Sequence, residues 1–395
     1  MKIIYLHQYF KTPEEGGPIR SYYLAKGLVD YGIEVEMITA HNKPSKVIKE
    51  VDGICVHYLP VHYDNSFSFQ QRVISFLKFM YMAIDEAAAI IGADLCFATS
   101  TPLTIGLAAI KIKEKFSIPY HFEVRDLWPE APIQMGAISN PWLLRYTRDM
   151  EQRIYDQAEK IIALSPGIHD NIVKKVSNKK VALIPNMSDV NFFEPQKKNP
   201  YLEDVFRTNN KFVVSYFGAI GKANHLEYLL EAARVSLDRQ LPVKFLVVGD
   251  GAEKNRLEKL GHHRKLVNVD FLPFMNKKEL RELLNVTDAA YISFANKPIL
   301  ETNSPNKFFD ALASGKLVVT NTKGWIRELA EVNQCGFYTD PEKPPDFVEK
   351  ISPFIKDKTR LNYFQQNARK LGETQFSRQQ QVSELINVLT EIPNI

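Results

Sequence analysis

Short apolar segments alternate with amphipathic segments from the first residues of the chain. Residues 2–9 are predicted as a strand, followed by a Gly16-Gly17 turn and a helix that begins at Pro18 and ends before Gly32. This alternation is typical of right-handed βαβ units on a mainly parallel sheet. Further strands are predicted at residues 34–39, 54–59, 95–98, 120–124, 160–164 and 181–184, with a helix near residues 69–89.

The pattern is interrupted once and then restarts. Residues 186–210 are polar and contain Pro195 and Pro200, which indicates a domain junction. The segment 379–389 carries apolar residues at helical spacing and is predicted to bury one face. After the junction, strands are predicted at residues 212–217, 243–248, 267–272, 289–294 and 317–320, and helices at 226–236, 277–284 and 307–314.

These elements predict an α/β chain of two consecutive doubly wound, Rossmann-like domains. A chain of 395 residues that is 45% hydrophobic can bury about two cores of ordinary size. We expect an N-terminal domain at residues 1–190, joined by a C-terminal helix at 378–395, and a second domain at 191–377.

Composition excludes several classes of protein. Lys and Arg total 50 against 46 Asp and Glu, and the formal charge of +4 predicts no nucleic-acid partner. The three cysteines, Cys55, Cys96 and Cys335, are far apart and predict packing residues in a reducing cytosol. No signal peptide and no run of about 18 apolar residues is recognisable, so we expect a cytoplasmic protein that does not span a membrane.

Three glycine turns follow predicted strands and precede helices. They are Gly16-Gly17, the turn from Gly218 to Lys222, and Gly249-Asp250-Gly251. A single turn of this kind is often a plain helix cap, but three in the same position of a doubly wound fold favour phosphate binding. None matches G-x-G-x-x-G or a Walker A sequence, which disfavours dinucleotide and ATPase functions.

A lysine and an aspartate lie near the start of one helix in the second half. Ser304-Pro305 opens that helix, Lys307 falls in its first turn, and Asp310 follows. A lysine there opposes the helix dipole unless an anion is bound, whereas Asp310 can accept from ribose hydroxyls or simply compensate the dipole. Lys222 can neutralise a diphosphate or be a solvated loop lysine.

These residues carry a family resemblance. The segment SPNKFFDALASGKLVV resembles the donor-binding signature of retaining GT-B glycosyltransferases of glycosyltransferase family 4. FGAIGKANHLEYLLEAA, VVGDGAEKNRLEKL, IIALSPGIHDNI and IPNMSDVNFFEP resemble further segments of that family, in the same order. YLHQYFKTPEEGGPIRSYYLAKGL and HFEVRDLWPEAP resemble the subgroup that builds bacterial surface polysaccharides, including fucosamine-type aminodeoxysugar transferases.

The resemblance implies two domains facing each other across a cleft, the first binding an acceptor and the second a nucleotide-sugar donor. It implies diphosphate contacts from the glycine turns, Lys222 and the turn at Ser304, ribose binding by Asp310, and a base site at the Phe274 loop. The residues so assigned to the donor are Gly17, Arg20, Gly218, Lys222, Gly249, Phe274, Ser304, Pro305, Asn306, Lys307 and Asp310.

Two features depart from the family pattern. Two glutamates are often spaced eight positions apart, but here Asp310 replaces the second and Thr302 stands at the first, with Glu301 one residue earlier. In the first domain a His often precedes the Asp, where this chain has Arg125-Asp126. We expect Asp126, Arg125 and Glu130 to be the catalytic or positioning residues, ahead of His121 and His7, with an apolar wall formed by Leu127-Trp128-Pro129.

The resemblance also implies retention of anomeric configuration through an oxocarbenium-like ion pair, with the leaving group stabilised by Lys222, Lys307 and helix N-termini. No Asp-x-Asp cluster is present in a donor loop, so we expect metal independence and no cofactor other than the UDP-sugar co-substrate.

Residues 67–82 combine aromatic side chains with Arg72 and Lys78 and predict either an interfacial helix or a helix packed on the sheet. The first alternative places the protein peripherally on the inner face of the cytoplasmic membrane, with a polyprenyl-diphosphate-linked acceptor. The family resemblance implies an N-acetylated aminodeoxysugar donor and a product such as O-antigen or capsule. The second suits a small-molecule acceptor. Rival hypotheses are a GT-B UDP-sugar 2-epimerase, a non-catalytic nucleotide-sugar-binding protein and, last, a dehydrogenase.

Overall fold

The computed structural model describes residues 1–16, 19–64, 67–136, 138–176 and 181–390. The chain divides into two compact units with their own sheets. Unit 1 consists of Met1–Pro185 and the C-terminal segment from Gln379, and unit 2 consists of Asn186–Arg378. The predicted contributions of Gly17 to the donor site and of Pro18 to the first helix lie outside the described residues.

Unit 1 alternates strands and helices along the chain. Its strands are β1 (Lys2–Leu6), β2 (Glu34–His41), β3 (Val47–Val51), β4 (Ile54–Pro60), β5 (Leu95–Thr99), β6 (Tyr120–Val124), β7 (Lys160–Ala163) and β8 (Val181–Leu183). Its helices are α1 (Arg20–Asp30), α2 (Phe69–Ala87), α3 (Thr104–Phe116), α4 (Glu130–Gln134), α5 (Pro141–Gln157), α6 (Pro166–Val173) and the C-terminal α15 (Arg378–Thr390).

The described strands of unit 1 form one sheet in the order β3-β4-β2-β1-β5-β6-β7-β8. All neighbouring strands in it are parallel except the antiparallel pair β3 and β4. Every residue of β5 and β6 is buried, as expected for strands of a parallel sheet covered on both faces. Later strands of the chain are added on one side of β1 up to β4 and then on its other side from β5 onward. The switch point therefore lies between β1 and β5, at the carboxyl ends of these two strands.

Unit 2 repeats the same alternation. Its strands are β9 (Phe212–Phe217), β10 (Val243–Val248), β11 (Val269–Leu272), β12 (Ala289–Ile292), β13 (Leu317–Thr320) and β14 (Gly336–Tyr338). Its helices are α7 (Pro200–Val205), α8 (Glu227–Asp238), α9 (Lys254–His263), α10 (Lys277–Val286), α11 (Asn306–Ala313), α12 (Trp325–Val332), α13 (Pro344–Lys356) and α14 (Lys358–Thr374), with a 3₁₀ turn at Pro298–Thr302.

The sheet of unit 2 is parallel throughout, in the order β11-β10-β9-β12-β13-β14. This is the strand order of a doubly wound nucleotide-binding fold, and its switch point lies between β9 and β12. All residues of β9, β12 and β13 are buried, and helices such as α8 and α13 pack their apolar faces on the core that these strands form.

Several elements differ from the predicted ones. β1 ends at Leu6, and the exposed edge strand β3 and the short helix α7 were not predicted. α7 lies within the segment predicted as a junction. Asn199 caps this helix by accepting a hydrogen bond from the Tyr201 N–H, and Pro200 occupies its first turn. β11 begins at Val269 rather than at residue 267, because Val267 is 77% exposed and still belongs to the turn after α9.

The C-terminal helix α15 packs on unit 1. Gly27 of α1 faces Val382, and an added Cβ at Gly27 would lie 2.3 Å from Val382 Cγ1. The Lys160 side chain donates to the Val388 carbonyl at 3.0 Å. The apolar face predicted for this helix is therefore used, with Leu385, Ile386 and Leu389 buried.

Across the described residues, no helix has both the length and the apolar character required to cross a bilayer.

Candidate functional site

The glycine turns of unit 2 lie at the carboxyl ends of β9 and β10, beside the switch point. Gly218 and Gly249 follow the two strands, and the Gly218 N–H donates to the Val248 carbonyl at 3.0 Å. A Cβ at Gly249 would lie 1.9 Å from the Gly218 carbonyl oxygen, and φ at Gly249 is +141°. The two turns pack so closely that a side chain at this position is excluded.

Helix α11 begins at the same edge of the sheet without a side-chain cap. Pro305 is its N-cap residue, and no side chain there accepts a hydrogen bond from the first turn. The first backbone N–H groups of an α-helix have no partner within the helix and attract anions. The start of α11 is therefore open to a phosphate.

The loop before α11 is held in place by hydrogen bonds from Trp325 and Asn186. The Trp325 indole N–H donates to the Asn303 carbonyl at 2.8 Å, and the Asn186 backbone N–H donates to Ser304 Oγ at 3.3 Å. The predicted residues Ser304 and Pro305 thus lie on an anchored loop, whereas Asn306 is exposed on the first turn of α11. An anchored loop can hold the helix start in one orientation before a ligand arrives.

Lys307 is a half-buried lysine at this site, and no carboxylate of the described residues forms an ion pair with it. Its Nζ donates to the Tyr216 hydroxyl at 2.7 Å, and it lies 4.0 Å from the centroid of the same ring. Burial lowers the pKa of Lys307 to about 7. A lysine that lacks a counter-charge in such a site marks a place where an anion can bind.

Asp310 lies one helical turn after Lys307, and its carboxylate accepts no hydrogen bond from the described residues. Burial raises the pKa of this carboxyl group to about 7; the Lys277 ammonium opposes the shift and the Asp189 carboxylate adds to it. Lys277 is itself paired with Asp189. Asp310 is therefore able to accept from hydroxyl groups of a ligand, and its contact with a ribose stays a prediction.

The remaining predicted donor residues of unit 2 lie on exposed loops. Lys222 is exposed and forms no ion pair with a described residue, and Phe274 is 56% exposed. Neither position distinguishes donor binding from a solvated loop, so their roles stay predictions.

In unit 1, the predicted Arg125 lies after β6, close to the switch point. Its backbone N–H donates to Ser100 Oγ at 3.0 Å, and its Nη1 lies 3.3 Å from His7 Nε2. His7 follows β1, is 2% exposed, and its Nδ1 lies 2.8 Å from Ser21 Oγ. Burial, with a smaller contribution from the Arg125 charge, holds the pKa of His7 well below its usual range. His7 is therefore a neutral imidazole near neutral pH.

Asp126 and Glu130 have different surroundings. Burial raises the pKa of Asp126, and the neighbouring Arg125 charge partly opposes the shift. Glu130 begins α4 and forms an ion pair with Arg148 of α5 at 3.0 Å. Of the two carboxylates, Asp126 has the perturbed environment that is common at functional sites.

Arg20 is buried inside unit 1, with 2% exposure. Its guanidinium donates to Glu123 Oε1 at 3.0 and 2.8 Å and to the Ile184 carbonyl at 2.9 Å. A further bond reaches the Pro185 carbonyl. We therefore assign Arg20 a structural role, holding α1 against β6 and the segment after β8.

Sequence reasoning missed Tyr216 and Asn186. Tyr216 precedes the Gly218 turn by two residues and supplies the only described side-chain hydrogen bond of Lys307. The sequence signal was weak, because a tyrosine in a buried strand is usually a packing residue. Asn186 Oδ1 is buried and has no partner among the described residues.

Comparison with known protein families gives matches over most of the chain. Residues 16–192 match the family model described as Glycosyltransferase Family 4, and residues 199–371 match the one described as Glycosyl transferases group 1. WcaI of Escherichia coli (strain K12), a glycosyl transferase provisionally assigned to colanic acid biosynthesis, is 27% identical over 221 residues. That match covers 55% of this chain and 53% of WcaI, so it spans about half of the relative's length.

Two solved structures are similar over nearly the whole chain. Sucrose-phosphate synthase from Thermosynechococcus elongatus has a TM-score of 0.77 at 15% identity and covers 98% of both chains. HepE of Anabaena, in complex with UDP-glucose, has a TM-score of 0.70 at 19% identity and covers 99% of this chain and 100% of its own. At these identities the likeness shows the fold, which is GT-B with two Rossmann-like α/β domains, as the sequence predicted.

Proposed function

Since this chain belongs to the group 1 and family 4 glycosyltransferases and has the GT-B fold, we propose that it transfers a sugar from a UDP-sugar to a lipid-linked saccharide with retention of anomeric configuration. The proposed donor is an N-acetylated aminodeoxysugar, used to build a bacterial surface polysaccharide. The WcaI resemblance supports this class of product, and the UDP-glucose bound to HepE supports the nucleotide.

The observation that carries the proposal is the combination at the start of α11. Within the part of the chain that the structure describes, an uncapped helix N-terminus, a lysine without a carboxylate partner and an aspartate whose carboxylate accepts no hydrogen bond lie close together along α11. The first two suit the diphosphate of UDP, and Asp310 suits the hydroxyl groups of its ribose.

The proposed chemistry depends on the departure of UDP. The bond between C1 of the donor sugar and the phosphate oxygen breaks, and negative charge grows on the diphosphate. Lys307, the α11 N–H groups and Lys222 stabilise that charge more strongly in the transition state than in the ground state. The acceptor hydroxyl then bonds to C1 on the same face, and its proton passes to the departing phosphate oxygen.

We assign acceptor positioning to unit 1. Arg125 and Asp126 follow β6, the strand next to β5, and Arg125 reaches His7 after β1, so both lie close to the switch point, where ligands of doubly wound sheets bind. Burial raises the pKa of Asp126, and its carboxyl oxygens can accept from a sugar hydroxyl. Glu130, paired with Arg148, serves to hold α4 against α5 in this scheme.

The lipid-linked acceptor is supported by the surface of α2. This helix buries Phe79, Met80 and Ala83 on one face, whereas Ile74, Leu77 and Tyr81 on another are 65%, 39% and 63% exposed. An exposed apolar row beside Lys78 is suited to the interface of an anionic membrane. We therefore propose peripheral attachment to the cytoplasmic face of the membrane.

Transfer assays with the purified full-length chain test the proposal. UDP-sugars, with UDP-N-acetylaminosugars first, are incubated with and without polyprenyl-diphosphate-linked saccharides in the presence of EDTA, and NMR of the product reports the anomeric configuration. We expect acceptor-dependent transfer with retention. Conversion of the donor without acceptor would instead identify an epimerase, and UDP binding with no turnover on any acceptor would favour a non-catalytic binding protein.

A further inference from the structure

Three side chains of metal-ligating type meet in unit 1, away from the residues assigned to sugar transfer. Glu36 is on β2, and Cys55 and His57 are on β4. Glu36 is the register partner of Cys55, and Cys55 and His57 are two residues apart, so the three share one face of the sheet. Their ligand atoms all lie within 4.8 Å of one another.

The imidazole of His57 is oriented by a carboxylate. Its Nδ1 lies 2.7 Å from Glu86 Oε1 on α2, and Glu86 is held in turn by Lys46, whose Nζ lies 2.9 Å from Oε2. A histidine that ligates a metal commonly donates its other ring N–H to a carboxylate in this way. When Nδ1 carries the ring proton and donates it in a hydrogen bond to Glu86, the lone pair of Nε2 points to the other side of the ring.

Two further potential ligands lie on that side. Nε2 of His57 is 2.8 Å from Glu36 Oε2 and 3.6 Å from Cys55 Sγ. A ring nitrogen and a carboxylate oxygen at this separation need either a second ring proton or a cation between them. The second Glu36 oxygen, Oε1, is 3.9 Å from Lys2 Nζ, so the oxygen that faces the ring is not the one nearest that lysine.

The ligand separations are close to those of a tetrahedral zinc site. Zinc bond lengths of about 2.3 Å to sulfur and about 2.1 Å to nitrogen or oxygen place S and N about 3.5 Å apart, and N and O about 3.4 Å apart. The observed sulfur–nitrogen distance of 3.6 Å fits without change. The nitrogen–oxygen pair must open by about 0.6 Å, which rotation of the partly exposed Glu36 side chain can provide.

We propose that Cys55 Sγ, His57 Nε2 and Glu36 Oε2 bind Zn²⁺, with Glu86 as the positioning residue for His57. A thiolate, an imidazole and a carboxylate together form a borderline ligand set that favours zinc over magnesium or calcium. Glu50 of β3, the register partner of Cys55, is exposed and brings a further carboxylate to the same face of the sheet.

The proposed role of the ion is structural. Glu36 and Cys55 lie near the amino ends of their strands, whereas Arg125 and Asp126 follow the carboxyl end of β6. The ion would fasten β2 and β4 to each other, and through Glu86 to α2. Sugar transfer itself therefore needs no metal in this scheme, and the zinc proposal is independent of the proposed donor.

Metal binding is measured on the full-length chain after chelator treatment. Cobalt(II) is added as a spectroscopic probe, and Zn²⁺ then competes for the same site. We expect one equivalent of cobalt to give a thiolate-to-cobalt charge-transfer band in the near ultraviolet, and zinc to abolish it and raise Tm. Cys55→Ser should lose the band, and Glu86→Gln should weaken zinc affinity by about 10- to 100-fold.

Cys335→Ser is the matched control, because it removes a thiol from unit 2 and should leave the cobalt band and the zinc affinity unchanged. Thermal unfolding without metal checks that each variant is folded. The proposal is overturned if the wild-type chain shows no thiolate band with cobalt, or if Cys55→Ser binds zinc as tightly as the wild type does.

Discussion

The ammonium nitrogen of Lys307 lies 2.7 Å from the hydroxyl oxygen of Tyr216, and no carboxylate of the described residues forms an ion pair with it. Tyr216 is on β9 and Lys307 is on α11, so the two residues join the strand and the helix that border the switch point of unit 2. Burial lowers the pKa of Lys307 to about 7. A bound diphosphate would supply the missing negative charge and raise that pKa.

Replacing Lys307 should weaken donor binding without destabilising the fold. A hydrogen bond to a charged group contributes about 1.5–3 kcal/mol, so Lys307→Met is expected to weaken UDP binding about 10- to 100-fold. The same change removes a poorly solvated charge and should not lower Tm. Titration calorimetry and thermal unfolding measure the two effects.

Lys316→Met is the control for this substitution. Lys316 is buried, and burial lowers its pKa to about 8, as it lowers that of the half-buried Lys307; Lys316 precedes the amino end of β13, away from the glycine turns. UDP affinity should be unchanged in this variant. An equal loss in both variants would mean that the effect reports unfolding of unit 2 rather than loss of a donor contact.

Asp310→Asn should change the pH dependence of stability. Burial raises the folded-state pKa of Asp310 to about 7, above the usual 3.8, so the stability that this group contributes at low pH is lost as pH rises through 7. The Asp310→Asn variant does not lose stability in this way. Its free energy of unfolding should therefore exceed that of the wild type by on the order of 1–3 kcal/mol at pH 8, and by less at pH 5.

Urea denaturation at the two pH values measures the difference. UDP binding should be weaker in the same variant, because the ribose hydroxyls lose a carboxylate acceptor. A gain in stability that is the same at both pH values would contradict the assigned surroundings of Asp310, and unchanged UDP affinity would contradict its ribose contact.

Two alanine substitutions in neighbouring turns form a matched pair. At Gly249 the added Cβ would lie 1.9 Å from the Gly218 carbonyl oxygen, so Gly249→Ala must shift the turn. At Gly221 the nearest atom is Asn224 Oδ1 at 3.9 Å, which is an ordinary contact. We expect Gly249→Ala to lose about 1–3 kcal/mol of stability and most UDP affinity, and Gly221→Ala to retain both.

Arg20 and Glu123 should behave as a buried structural pair. Removing one partner of such a pair costs about 3–5 kcal/mol, because an uncompensated charge remains. Arg20→Met should therefore destabilise unit 1, and Arg20→Met combined with Glu123→Gln should recover part of the loss. Denaturant unfolding of the single and double variants checks this, and UDP affinity of folded Arg20→Met should be unchanged. If Arg20→Met instead kept full stability and bound UDP more weakly, Arg20 would be a donor-binding residue.

The exposed row on α2 should control membrane attachment. Ile74→Ser combined with Tyr81→Ser removes two side chains that are 65% and 63% exposed. We expect co-sedimentation of the wild-type chain with anionic lipid vesicles, and little with this variant. The control pair, Val267→Ser with Val332→Ser, removes two valines of unit 2 that are 77% and 80% exposed and should bind vesicles like the wild type. Equal binding by both variants would exclude α2 as the attachment surface.

The elements that form the cores were predictable, because strands such as β9 and β12 are short, largely apolar segments bounded by polar or turn residues. β3 was not, since four of its five residues are exposed and it depends on pairing with β4 rather than on an apolar pattern. β14 has three residues and carries too little pattern for any prediction.

The site was predictable in part. Glycines after strands and a lysine at a helix start are local features, so Gly218, Gly249 and Lys307 could be proposed from their neighbours in sequence. The pairing of Arg20 with Glu123 spans 103 positions, and the contact of Lys307 with Tyr216 spans 91. Such contacts depend on how strands and helices assemble, which local patterns do not record, and for this reason Arg20 was placed with the donor and Tyr216 was overlooked.

The donor site at Lys307 is tested by calorimetric titration of UDP into the 395-residue chain and into its Lys307→Met variant, at pH 7 with EDTA present. We predict one UDP per wild-type chain, affinity about 10- to 100-fold lower in the variant, and no heat of binding when NAD replaces UDP. No binding of UDP, or equal affinity in the two chains, would contradict a donor site built around Lys307.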